Sequence, residues 1–120
     1  MTSMYSDKHI QILVEKGIAV LNLSEYALKE LKTIVFVNLP DVGDRVETGS
    51  TFGDIESIKT VSDLISPING KVEEVNEELL DAPELLTAEN WIIKVSQFEL
   101  NENEFMSEEQ YKKYVEKCDV

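Results

Sequence analysis

The sequence predicts a mainly β domain of the α+β kind: a small sandwich or flattened barrel with short helices at its margins and one helix near the C-terminal end. Three observations predict it. Strand-like segments of four to six residues, rich in apolar side chains, recur along the chain, a length that suits strands better than helices. Gly, Pro and Asn punctuate those runs at short intervals, as turns require. At 120 residues, 42% of them hydrophobic, the chain has the size of one compact domain and buries a core without metal or disulfide staples.

Taken in order, residues His9 to Val14 and Ile18 to Leu23 flank Lys16-Gly17, which predicts a hairpin. Ser24 is placed to cap a helix, with Glu25 in its first turn and Tyr26, Ala27, Leu28 and Leu31 as a short apolar face. Thr33 to Asn38 is the most strand-like segment, and its unbroken apolar centre predicts burial on both faces. Turn chemistry follows at Pro40-Asp41-Val42-Gly43-Asp44, Gly49-Ser50 and Pro67-Ile68-Asn69-Gly70, and short strands lie between and after these turns at Phe52–Ile55, Val61–Ile65 and Lys71–Val75. Glu77 to Leu80 predicts a helical turn with Asn76 as its cap. Trp91 to Val95 predicts a strand of period two. Ser107, Glu108, Glu109 and Gln110 form a capping-box pattern that opens a helix carrying Tyr111, Tyr114 and Val115 on one side. A faint internal echo relates Val42–Val46 to Ile68–Val72, as two half-sheets in quasi-two-fold symmetry would.

Charge excludes some functions. With 24 acidic against 11 basic residues, the net charge of −13 repels nucleic acid and anionic membrane surfaces. The same field favours partners with basic docking faces; read more plainly, it keeps a small protein soluble. No apolar run approaches the roughly 20 residues that span a membrane. Met1 to Lys8 lacks the apolar core of a signal peptide, so the expected compartment is the cytoplasm. The single cysteine, Cys118, fits a reducing compartment and is read as incidental.

The inventory for catalysis is poor. His9 is the only histidine and lies at the opposite end of the chain from Cys118, so no Cys–His–carboxylate metal set is apparent. There is no phosphate-cradling glycine loop and no nucleophile elbow, and carboxylates this abundant make paired acids uninformative. No catalytic residue and no metal site is expected. A carrier needs only one nucleophilic side chain on a rigid mount, and Lys59 lies between two candidate strands, where a hairpin tip would project it into water. From spacing alone, a lysine between two strands is usually a solvated turn residue.

The run Gly53-Asp54-Ile55-Glu56-Ser57-Ile58-Lys59-Thr60-Val61-Ser62-Asp63-Leu64 closely resembles the lipoylation signature of glycine-cleavage H proteins. The flanks resemble that family too: Ser24-Glu25-Tyr26-Ala27 its helix start, Ile34 to Pro40 its central strand and turn, Pro67 to Gly70 its turn, and Asn76 through Leu86 the run that follows. The match extends over about His9 to Val115. A biotin carrier instead places methionine on both sides of the lysine, where this chain has Ile58 and Thr60.

The resemblance implies one lipoyl-carrier domain over residues 1–120, with a β core over about 9–97 and a C-terminal helix over 107–117. Its fold would be a lipoyl/biotinyl-carrier-like barrel-sandwich hybrid of two small sheets. It also implies a non-enzymatic shuttle, a monomer whose lipoate is covalently attached to Lys59, with Glu56 and Asp63 recognised by modifying enzymes. The arm would carry an aminomethyl group and reducing equivalents among glycine decarboxylase, aminomethyltransferase and dihydrolipoamide dehydrogenase, after loading by a lipoate ligase or lipoyl transferase. An H-like carrier outside glycine cleavage is the alternative, serving lipoyl relay or acting as a lipoyl-dependent target of ADP-ribosylation by a sirtuin and macrodomain system.

Two departures stand out. The family's H-x-W near the first strand loses its tryptophan, since Ile10 and Gln11 follow His9. Its glycine-rich N-P-Y-G-x-G-W segment is reduced to Thr87-Ala88-Glu89-Asn90-Trp91. In the family that loop lies near the cleft sheltering the loaded arm, so its loss predicts poorer protection there.

Overall fold

The computed structural model describes residues 3–118. Met1, Thr2, Asp119 and Val120 lie outside the described residues, as does the side chain of Cys118, the thiol read above as incidental. Among the described residues nine strands form two antiparallel sheets. The strands are β1 (Met4–Tyr5), β2 (Ile10–Glu15), β3 (Ile18–Leu23), β4 (Ile34–Asn38), β5 (Arg45–Val46), β6 (Thr51–Ser57), β7 (Val61–Ile65), β8 (Gly70–Val75) and β9 (Ile93–Ser96). The larger sheet runs β1-β2-β3-β9-β8-β5 and the smaller β4-β6-β7. Three helices, α1 (Glu25–Leu31), α2 (Glu78–Asp81) and α3 (Glu108–Cys118), lie at the margins.

The β2–β3 hairpin pairs without a slip from Ile10↔Leu23 to Glu15↔Ile18. Lys16 (φ 49°) and Gly17 (φ 79°) close it, both in the left-handed region. A two-residue loop of that kind matches the right-handed twist of its strands, and glycine takes the second position without steric cost. The pairing turns Ile10, Ile12, Ala19, Leu21 and Leu23 into the core. There they meet Val37, Ile55 and Leu64 from the small sheet in one apolar cluster. Full burial of each large aliphatic side chain contributes about 1.5–3 kcal/mol, so the two sheets hold each other.

Ser24 caps α1 as the sequence predicts, its Oγ accepting a hydrogen bond from the Ala27 N–H at 3.2 Å. Ser107 and Gln110 make the capping box of α3 reciprocally. Gln110 N–H donates to Ser107 Oγ (3.2 Å), and Ser107 N–H donates to Gln110 Oε1 (2.9 Å). The echoing stretches pair with each other: Arg45 lies opposite Lys71, and Val46 opposite Gly70. Arg45 and Lys71 hold equivalent places in the two copies, so a local two-fold axis would pass between them.

Three expectations are corrected. Thr33–Asn38 is not buried on both faces: in β4, Val35 and Phe36 remain 52% and 48% exposed, and Val37 alone is fully buried. The cause is position. β4 is an edge strand, and its pairing with β6 slips between Ile34 and Phe36, so Phe36 is brought opposite Glu56. Asn76 is not a side-chain cap. Glu77 occupies that place without a side-chain bond, because the Asn76 amide is engaged with Asn90 and Trp91. The last strand starts at Ile93, two residues later than expected, and Ile92 and Ile93 are both buried, which breaks the period-two pattern at its start.

Candidate functional site

The β6–β7 hairpin carries the motif. Its last paired rung is Glu56↔Val61, and Ser57 to Thr60 make the tip. Ser57 is buried and staples that tip from inside. Its N–H and Oγ–H donate to the Thr60 carbonyl at 2.8 and 3.1 Å, while its Oγ accepts from the N–H groups of Lys59 (3.3 Å) and Thr60 (3.2 Å). The Ile58 N–H donates to the Thr33 carbonyl at 3.2 Å, tying the tip to the chain entering β4. Lower down, a Cβ on Gly53 would overlap the Asn38 carbonyl oxygen, so glycine lets β4 approach β6 closely. A short loop thus becomes a fixed mount, and Ile58, Lys59 and Thr60 all face solvent.

Lys59 takes part in none of the ion pairs found among the described residues. Its amine stands clear for a partner to reach, which suits an acyl attachment point. Glu56 is half-buried and Asp63 exposed, and both point outward from the small sheet. Glu56 lies on the rung at the tip, whereas Asp63 lies opposite Asp54, one outward rung further along. A groove of about 560 Å³ lies at the other end of this hairpin, against Gly49, Ser66, Pro67 and Phe105. Lys59 is therefore displayed on the surface rather than set in that groove.

His9 serves structure. Its backbone is in the left-handed region (φ 69°), its carbonyl accepts from the Ser24 N–H (2.9 Å), and its Nδ1 lies 2.6 Å from the Tyr111 hydroxyl. That hydroxyl is also 2.6 Å from Ser24 Oγ, and the Tyr111 ring stacks on Tyr5 at 4.5 Å. The cluster docks α3 on β1 and the start of α1. Burial pushes the His9 imidazole below its ordinary pKa; Asp7 opposes that shift and Lys8 adds to it.

The shortened segment before β9 is held by three asparagines, which sequence reasoning missed. Asn22 Nδ2 donates to the carbonyls of Thr87 and Asn90, each at 2.9 Å. Asn76 Nδ2 donates to Asn90 Oδ1 and the Trp91 carbonyl, and Asn90 Nδ2 donates to the Leu85 carbonyl. Asn22 is 2% exposed, and its Oδ1 has no partner among the described residues. These contacts join positions from 5 to 68 apart in sequence, and most of them leave no local signal. Beside the clasp, Lys94 Nζ lies 4.6 Å above the Trp91 ring and 3.0 Å from Glu74.

Among the described residues no group of three His, Cys, Asp or Glu side chains could hold a metal. Two sheets around one core present a lysine on a stapled hairpin tip, an arrangement that a carrier domain requires. The glycine cleavage H-protein family profile matches residues 3–118. The chain is 42% identical to glycine cleavage system H proteins from two strains of Staphylococcus epidermidis, in alignments of 120 residues covering 92% of each chain. It is also similar to the crystal structure of a glycine cleavage system H protein from Mycobacterium marinum. There the TM-score is 0.81 at 28% identity, covering 99% of this chain and 98% of that one. The chain belongs to the glycine cleavage H-protein family, whose members are non-catalytic lipoyl carriers. No helix among the described residues is long and apolar enough to cross a membrane.

Proposed function

We propose that Lys59 is the lipoyl attachment site and that the chain works as the mobile carrier of glycine cleavage. The observation that carries the reading is the exposed Lys59 amine on a tip held by Ser57. In its unprotonated form Nζ is the nucleophile toward an activated lipoyl carboxyl, such as an acyl-adenylate. The amide N–C bond forms as the bond to the adenylate breaks, and the amine proton leaves to water. Acylation removes the charge of Lys59 and extends its reach. Once bound, the lipoyl group supplies a dithiolane that carries an aminomethyl group and reducing equivalents; the protein supplies orientation and access. Glu56 and Asp63 are the acids we assign to recognition by the modifying enzyme. The partners of this reading are a lipoate ligase or lipoyl transferase, glycine decarboxylase, aminomethyltransferase and dihydrolipoamide dehydrogenase.

No feature of the described residues favours the sirtuin and macrodomain alternative. Intact-mass spectrometry after incubation with lipoate, ATP and a lipoate ligase should show one lipoyl addition, absent in Lys59→Arg, which keeps the charge without the acylatable amine. Addition that persists in Lys59→Arg would sink the assignment. With the three glycine-cleavage enzymes added, the lipoylated chain should support glycine turnover. Lipoylation without turnover would move the function to lipoyl relay.

A further inference from the structure

We infer that the outer face of the small sheet is the docking surface for the enzyme that acylates Lys59, and that it fits an apolar patch with a basic outer rim. The inference rests on the carrier reading above and adds the surface through which loading occurs.

The register arranges this face in two rows. Nearest the tip, Phe36, Glu56 and Val61 stand side by side across the three strands, since Phe36 pairs with Glu56 and Glu56 with Val61. One outward rung further, roughly 7 Å along the strands, Asn38, Asp54 and Asp63 form the second row. The first row is apolar around one acid; the second is polar and acidic, with Asn38 Nδ2 donating to Asp54 Oδ1 at 2.7 Å. Val61 is 57% exposed and Ile58, at the tip, 73%. Single exposed apolar residues are ordinary, but clustered ones mark interaction sites. Of the seven large hydrophobics exposed among the described residues, Phe36 and Val61 lie in the row nearest the tip and Ile58 lies at the tip itself.

The acids decide what covers the face. The two rows hold three carboxylates and no lysine or arginine, so a second copy would set like charges against each other, whereas a basic rim would be attracted. The geometry also favours the loading enzyme over those that act later. Later enzymes meet the far end of a long arm, but the acylating enzyme must bring its active site to Nζ itself. Its contact surface must therefore adjoin the tip, where the apolar row stands.

The test measures kcat/KM for lipoylation of the full unmodified chain by a purified lipoate ligase, with thermal unfolding alongside. Phe36→Ser combined with Val61→Thr should lower kcat/KM roughly tenfold through KM, as loss of apolar interface anchors does. Asp63→Lys, on an exposed side chain that bears no core, should lower it as well. Glu102→Gln with Glu104→Gln, beside the groove at the opposite end of the hairpin, should leave it unchanged. Folded apolar variants, or a folded Asp63→Lys, loaded as fast as the unaltered chain would overturn the docking face while leaving Lys59 as the site. A concentration-dependent dimer abolished by the apolar pair would assign the face to self-association and overturn it too. An unaltered chain that accepts no lipoyl group would overturn the carrier reading and this inference together.

Discussion

Residues at the tip and at the helix junctions each act through a few short bonds. Ser57 shows how a motif position earns its identity: a small hydroxyl reaches the backbone of the two residues after it and fixes where Lys59 starts. His9 shows a cost. It is half-buried in a strained left-handed backbone, in contact with Tyr111, and burial lowers its pKa below the ordinary value near 6.5. The fold therefore prefers the neutral imidazole, and below about pH 6.5 the unfolded chain binds the extra proton more readily. The His9 contribution to stability is thus complete above that pH and is lost as pH falls through the lower folded value. Chemical denaturation between pH 7.5 and 5 should show the midpoint falling, and His9→Asn, which tolerates the left-handed backbone, should flatten that part of the profile. An equally steep profile in the variant would place the pH dependence in the carboxylates instead. The hairpin tip that carries Lys59 was legible because its motif is contiguous, whereas the His9–Tyr111 contact spans 102 positions and left no local pattern.

Elements were legible where their signals were local. The β2–β3 hairpin, the Ser24 cap and the Ser107–Gln110 box each depend on residues within a few positions, and each formed as its residues require. β4 misled because four apolar residues in a row suit a central strand and a bulged edge strand equally well. The choice between them was made by its slip against β6, a tertiary event. Asn76 misled for the same reason, since its amide binds partners 14 and 15 positions away. The clasp yields a prediction at this scale. Asn90→Ala removes the acceptor for Trp91 N–H and Asn76 Nδ2 and the donor to the Leu85 carbonyl. Leaving such groups unpaired costs about 1–3 kcal/mol, which should appear as a lower urea midpoint with an unchanged slope. Lipoylation of Lys59 should proceed normally, because the tip is stapled independently by Ser57. A midpoint equal to that of the unaltered chain would mean that the segment keeps its shape without the clasp.

For the whole molecule, charge and architecture divide the work between range and fit. The sheets hold the hairpin still, while 24 acidic side chains against 11 basic ones surround it with a negative field. That field acts over a distance set by salt, about 30 Å at 0.01 M ionic strength and 8 Å at 0.15 M. The face proposed for docking contributes only part of it, so long-range steering and local fit are separable. Steering should appear as an association rate with a lipoate ligase that falls as salt rises from 10 to about 150 mM. Asp54→Asn with Asp63→Asn removes only two of the carboxylates, and most of that salt dependence should survive while complexes dissociate faster. Stopped-flow mixing of labelled, unmodified protein with the ligase measures both rates. An association rate indifferent to salt would confine the acidity to solubility. A double variant that lost the whole salt effect would place the steering in those two residues rather than in the molecule's overall charge.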